Sequence, residues 1–108
     1  MSSRDVTEIL FIFPRAFGSR EEYVGLSRRL STDELIEVAI GGLEEALYRV
    51  CRPDGYEIED ANVRETRRGW VIYVTYYCGG RRMATQIAVE QREDIYVVTI
   101  REPTSKPH

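Results

Sequence analysis

The sequence predicts an α+β domain, a two-layer sandwich in the order β-α-α-β-β-β-β, with a long amphipathic helix packed on one face of an antiparallel meander sheet. Three observations predict it. Residues 31–51 carry apolar side chains at helical spacing, residues 56–101 alternate with period two, and Cys78-Gly79-Gly80-Arg81 is a turn that dictates how two of those alternating segments pair. With 108 residues, 43% hydrophobic and 31% charged, the chain suits one domain with its own core. That domain is expected over residues 1–102, with 103–108, which hold Pro103, Lys106 and Pro107, as a frayed tail.

Val6 to Phe13 is apolar at both parities and reads as a strand covered on both faces, ended by Pro14. Ser19 and Glu22 have the spacing of a capping box, which predicts a short first helix from Arg20 to about Arg29. A second box, Ser31-Thr32-Asp33-Glu34, starts a second helix that runs to about Cys51. Its apolar stripe holds Leu35, Ile36, Ala39, Ile40, Leu43, Ala46, Leu47 and Val50, while Glu34, Glu37, Glu44 and Glu45 point elsewhere. Gly41 and Gly42 weaken that helix by roughly 1 kcal/mol each relative to alanine, and a glycine at the stripe's edge permits close backbone approach.

If Cys78 faces Arg81, then Trp70, Ile72, Val74 and Tyr76 lie across from Val89, Ile87, Thr85 and Met83 on the core face. Val71, Tyr73, Thr75 and Tyr77 then lie across from Ala88, Gln86, Ala84 and Arg82 on the outer face. The next turn, Gln91-Arg92-Glu93-Asp94, sends Tyr96, Val98 and Ile100 to the core and Val97, Thr99 and Arg101 outward. In the strand before, Tyr56 to Glu65, the parity changes at Asp60-Ala61, so a bulge is expected there, with Ala61 and Val63 facing the core.

Several chemistries find no support. The one histidine, His108, is the last residue, so histidine-based catalysis is not expected. No phosphate-loop spacing occurs, and neither a metal nor a cofactor is expected. Glu57, Glu59 and Asp60 read as a solvated strand edge rather than a divalent-ion site. No apolar run exceeds the five residues Ile9 to Phe13 and the N-terminus is polar, which predicts no membrane span, no secretory signal and a cytoplasmic location. Cys51 belongs to a helix end and Cys78 to a hairpin. A disulfide requires the fold to bring their Cα atoms within roughly 7 Å, and in a reducing setting two free thiols are the expectation.

The formal net charge is −3, but it is segregated, with residues 31–60 acidic and residues 61–92 basic. The outer face of the sheet is too apolar for an ordinary solvated surface. Its tyrosines are stacking platforms, its arginines meet phosphates, and glutamine and threonine bond base edges. These residues point to a small non-enzymatic module that binds single-stranded RNA or DNA through Tyr73, Tyr77, Arg82, Gln86, Thr99 and Arg101, with Arg67, Arg68 and Arg81 at the rim. The same face suits a homodimer, packed on its symmetry mate. A second reading is a regulatory or inhibitory module that offers its acidic helix to a basic protein. A third is a histidine-free ribonuclease, because the order strand, two helices, antiparallel strands is similar at the level of topology to the RelE-type ribosome-dependent RNA-cleaving toxins, without a shared motif.

Overall fold

The computed structural model describes Val6 and residues 8–107. The chain runs through β1 (Glu8–Ile12), a 3-10 turn (Arg15–Phe17), β2 (Glu21–Gly25), α1 (Thr32–Val50), β3 (Tyr56–Glu65), β4 (Gly69–Cys78), β5 (Arg81–Arg92), β6 (Ile95–Ile100) and β7 (Thr104–Ser105). It is an α+β fold in which one helix packs on a mixed, mostly antiparallel sheet. The strand order is β2-β1-β6-β5-β4-β3, with β7 added to β5, and β1 with β6 is the parallel pair.

The helix starts where its sequence says it should. The Ser31 side chain accepts from the Glu34 N–H, and the Glu34 carboxylate accepts from the Ser31 N–H, so both halves of the capping box form. Leu35, Ala39, Leu43, Ala46 and Leu47 are buried against Ile9, Phe11, Ile72, Val74, Tyr76, Ile87, Val89, Val98 and Ile100. Thr85, a buried polar residue in this layer, is paired with the Tyr76 hydroxyl at 2.8 Å.

The β4–β5 hairpin has the register that its turn dictates, from Cys78 opposite Arg81 to Trp70 opposite Val89. Gly79 and Gly80 have φ values of 58° and 84°, the positive values that a two-residue loop of this kind needs. In β3 the register shifts between Ile58 and Asp60, which makes Glu59 the extra residue and puts the bulge one position before its expected place. Ala61 and Val63 then face the helix side as expected, but they are exposed. The core takes in Tyr56 and Ile58, and this end of β3 runs on past it.

Four expectations are corrected. The segment expected as a first helix is β2, paired antiparallel with β1. Ser19 has φ 47°, not the extended backbone of an N-cap, and together with Gly18 at φ 101° it turns the chain back so that Arg20 O accepts from Phe13 N–H at 2.8 Å. A helix of about ten residues is marginal, whereas Tyr23 and Val24 are good strand formers beside an unpaired edge. With one helix in place of two, the topological likeness to the RelE-type toxins loses its basis.

Second, β1 is not covered on both faces. Ile9, Phe11 and Phe13 are buried under α1, while Leu10 and Ile12 are half-buried on the open face. Its two-sided apolar character reflects an interior position between β2 and β6. Third, Cys51 and Cys78 are not free thiols but a disulfide, with Cα atoms 5.2 Å apart. Fourth, the tail does not simply fray: Thr104 and Ser105 pair with Ala84 and Met83 of β5. His108 and Thr7 of the expected N-terminal strand lie outside the described residues.

Candidate nucleic-acid interface

The face of the sheet opposite α1 has no second layer among the described residues. The strand registers lay its side chains out in rows across the strands. One row passes through Arg101, Gln86, Tyr73 and Asn62. A neighbouring row passes through Thr99, Ala88, Val71 and Arg64, and the row on the other side through Thr104, Ala84, Thr75 and Asp60.

The first row carries the site. Tyr73 is 38% exposed, with the Arg64 guanidinium 5.9 Å from its ring centre. On one side of the ring lies a groove of about 380 Å³ bordered by Gln86, Arg101, Thr104 and Lys106, with the small Ala84 among its lining. On the other side a shallower depression is lined by Asn62, Val63 and Arg64. A flat ligand therefore has access to the ring from the groove, while the Arg64 guanidinium lies over the ring.

The groove exists because the chain after β6 keeps following β5. Arg101 N–H donates to Gln86 O at 2.9 Å, Lys106 N–H donates to Arg82 O at 2.9 Å, and the Thr104 hydroxyl donates to Ala84 O at 3.4 Å. Glu102 and Pro103 interrupt this pairing, and the Glu102 carboxylate accepts from Ala16 N–H at 3.0 Å.

The structure brings Tyr73, Gln86 and Arg101 together and sets the other expected residues apart from them. Tyr77 is half-buried, and its hydroxyl donates to Glu59 at 3.5 Å. Arg82 is already engaged: it forms an ion pair with Glu59 at 2.9 Å and donates to Pro107 O at 3.1 Å. Thr99 is half-buried in the adjacent row. Arg67 and Arg68 are exposed in the β3–β4 turn, at the opposite end of β4 from Arg81. Arg81 shares the helix-side parity of Cys78 and borders an apolar cleft with Phe17, Leu47 and Val50, so it does not reach the open face.

Arg64, Asn62, Thr104 and Lys106 belong to the site and were not expected there. Carrying the alternation past the bulge would have put Arg64 and Asn62 on the face of Tyr73. The tail gave no such signal, because Pro103 and Pro107 read as the end of the sheet.

The acids of α1 lie in the other layer, where Glu44 accepts from the Tyr56 hydroxyl at 2.9 Å and Glu45 pairs with Arg49 at 3.0 Å. On the open face Glu57, Glu59 and Asp60 lie toward one end, Glu90 shares the parity of Gln86, and Glu102 lines the groove itself. Among the described residues no three His, Cys, Asp or Glu side chains are grouped as a metal site, and no helix is long and apolar enough to cross a membrane. No family model matches this chain, and no curated protein or solved structure matches it significantly.

Proposed function

We propose that this chain is a non-enzymatic binding module that takes single-stranded RNA or DNA on its open sheet face. The observation that carries the reading is Tyr73, an exposed ring in the middle of a row with Gln86 and Arg101 on one side and Asn62, beside Arg64, on the other. A base stacks on the ring, the Gln86 amide bonds base edges, and Arg64, Arg101 and Lys106 meet phosphates, while the Asn62 amide already donates to Asp60 at 2.8 Å. The path crosses the strands, roughly 15 Å from Asn62 to Arg101 at the usual strand spacing, with Asp60 beside its first residue and Glu102 in the groove at its last.

Segregation supports this reading for an acidic chain, because the helical acids stand behind the sheet. The reading carries the cytoplasmic location with it. The disulfide is the observation that weighs against that location, since reducing compartments keep thiols free.

Fluorescence anisotropy of labelled single-stranded RNA and DNA, with a duplex control, tests the proposal at low and moderate salt. Saturable, salt-sensitive binding that prefers single strands is expected. Tyr73→Ala weakens it about tenfold or more, the usual loss for one stacked base, and Arg101→Ala lowers the salt dependence. Arg82→Ala has the smaller effect, because Glu59 already holds that guanidinium. No binding at low salt overturns the proposal.

A further inference from the structure

β3 ends the sheet, and its outer edge has no strand beside it among the described residues. Residues 59–68 are all exposed, including Val63 at 45%. A free edge of this length is a template for another strand unless charge or shape forbids it. The sequence along this edge does not forbid it. It complements itself.

Thr66 N–H donates to Gly69 O at 2.8 Å, which marks Thr66–Gly69 as a hydrogen-bonded pair of the β3–β4 ladder. Antiparallel pairs alternate, so Arg64, Asn62 and Asp60 also direct their backbone groups toward β4. Ala61, Val63 and Glu65 then direct theirs to the free edge. A second β3 running antiparallel must meet these outward groups with its own, so residues of like parity face each other.

Among such registers, the one centred on Asn62 is distinguished by its charges. Asp60 of each copy stands opposite Arg64 of the other, on the open-face side. On the helix side Ala61 stands opposite Val63, twice, and these pairs exchange the backbone hydrogen bonds. Centring on Ala61 sets Asp60 against Asn62, and centring on Val63 sets Asn62 against Arg64, so neither makes an ion pair. The remaining like-charge encounter, Glu59 with Glu65, falls at the bulge, where Arg82 already neutralises Glu59. The opposite edge, β2, has no such match: centred on Tyr23 it sets Glu22 against Val24 and Glu21 against Gly25.

We infer that β3 is a self-association edge and that its occupant is β3 of a second copy of this chain, paired antiparallel about Asn62. The two-fold axis is normal to the sheet, so the two open faces lie on one side and the two helices on the other. This differs from a dimer formed face to face, because it leaves Tyr73 and its groove uncovered. It does not rest on the nucleic-acid reading.

Sedimentation velocity over a concentration series tests it by charge exchange. The wild-type mass is expected to rise from 12.5 kDa toward twice that value. Arg64→Asp places Asp against Asp60, and Asp60→Arg places Arg against Arg64, so each variant alone dimerises about tenfold more weakly or worse. An equimolar mixture of the two recovers dimer, because a chain with acids at both positions then meets one with arginines at both. The double variant Asp60→Arg/Arg64→Asp also dimerises. A wild type that stays monomeric at the highest concentration overturns the inference, as do single variants that dimerise undiminished. A mixture or double variant no more dimeric than the single variants, with native circular dichroism throughout, overturns it too. Nucleic-acid binding by a monomeric wild type would sink this inference and leave the proposed function standing.

Discussion

Gly41 and Gly42 are neighbours in α1 with opposite surroundings. A Cβ at Gly42 would run into the Phe11 ring, which is itself 5% exposed and held by the core, whereas a Cβ at Gly41 meets nothing within 4 Å. Gly41→Ala is therefore expected to stabilise the fold by about 1 kcal/mol, the helix propensity of alanine over glycine. Gly42→Ala is expected to destabilise it, because overpacking of ~1–3 kcal/mol outweighs the same propensity gain. Urea unfolding midpoints that move in opposite directions check this, and a stabilising Gly42→Ala would refute the close approach of helix and sheet. The sequence raised close approach at these glycines without saying which one makes it. The two outer-face tyrosines of β4 behave likewise: register arithmetic put Tyr73 and Tyr77 on one face, but Glu59 at the bulge takes the Tyr77 hydroxyl and leaves only Tyr73 well exposed.

At the scale of elements, two stretches with the same capping-box spacing fold differently. Ser31 and Glu34 cap a helix because nineteen residues with a continuous apolar stripe follow them. Ser19 and Glu22 precede too short a stretch, and β1 offers that stretch a backbone partner. The successful cap has a measurable signature. Arg28 bonds the Glu34 carboxylate, and with the Ser31 N–H it lowers the Glu34 pKa from 4.5 to about 2. A depressed carboxylate pKa adds stability that is present above the unfolded value and lost as pH falls through the folded one. The first turn of α1 is thus expected to hold down to about pH 4.5 and to weaken progressively toward about pH 2. A carboxyl-shift titration of Glu34 by NMR should show the low midpoint, and Arg28→Gln should raise it toward the ordinary carboxylate range. A midpoint unaffected by Arg28→Gln would mean that this ion pair is not populated in solution.

Across the whole molecule, the disulfide ties the C-terminal end of α1 to the end of β4, across 27 positions of sequence. A closure of that length restricts the unfolded chain by roughly 3–4 kcal/mol in the loop-entropy description. Cys51→Ala/Cys78→Ala is expected to lower unfolding stability by about that amount in urea, with reductant doing the same to the wild type. Identical curves with and without reductant, together with two titratable thiols in the unfolded protein, would show that the bridge does not form. The bridge was legible only as a distance condition. Nothing local to Cys51 or Cys78 says that α1 lies over the β4–β5 hairpin with their Cα atoms 5.2 Å apart.

What the sequence determined by itself is what nearest neighbours decide. Capping, helical and strand periodicity and the Gly79-Gly80 turn specified α1 and the whole β4–β5 register, because each is a short-range preference repeated over many residues. Tertiary structure alone decided the fate of β2, the parallel pairing of β1 with β6, the disulfide and the tail's run along β5. Each of these depends on which backbone edge is left without a partner once the longer elements have packed. The candidate site divides in the same way. Tyr73, Gln86 and Arg101 followed from alternation, and alternation carried past the bulge also places Arg64, whereas Thr104 and Lys106 joined them only when the tail closed the groove against β5.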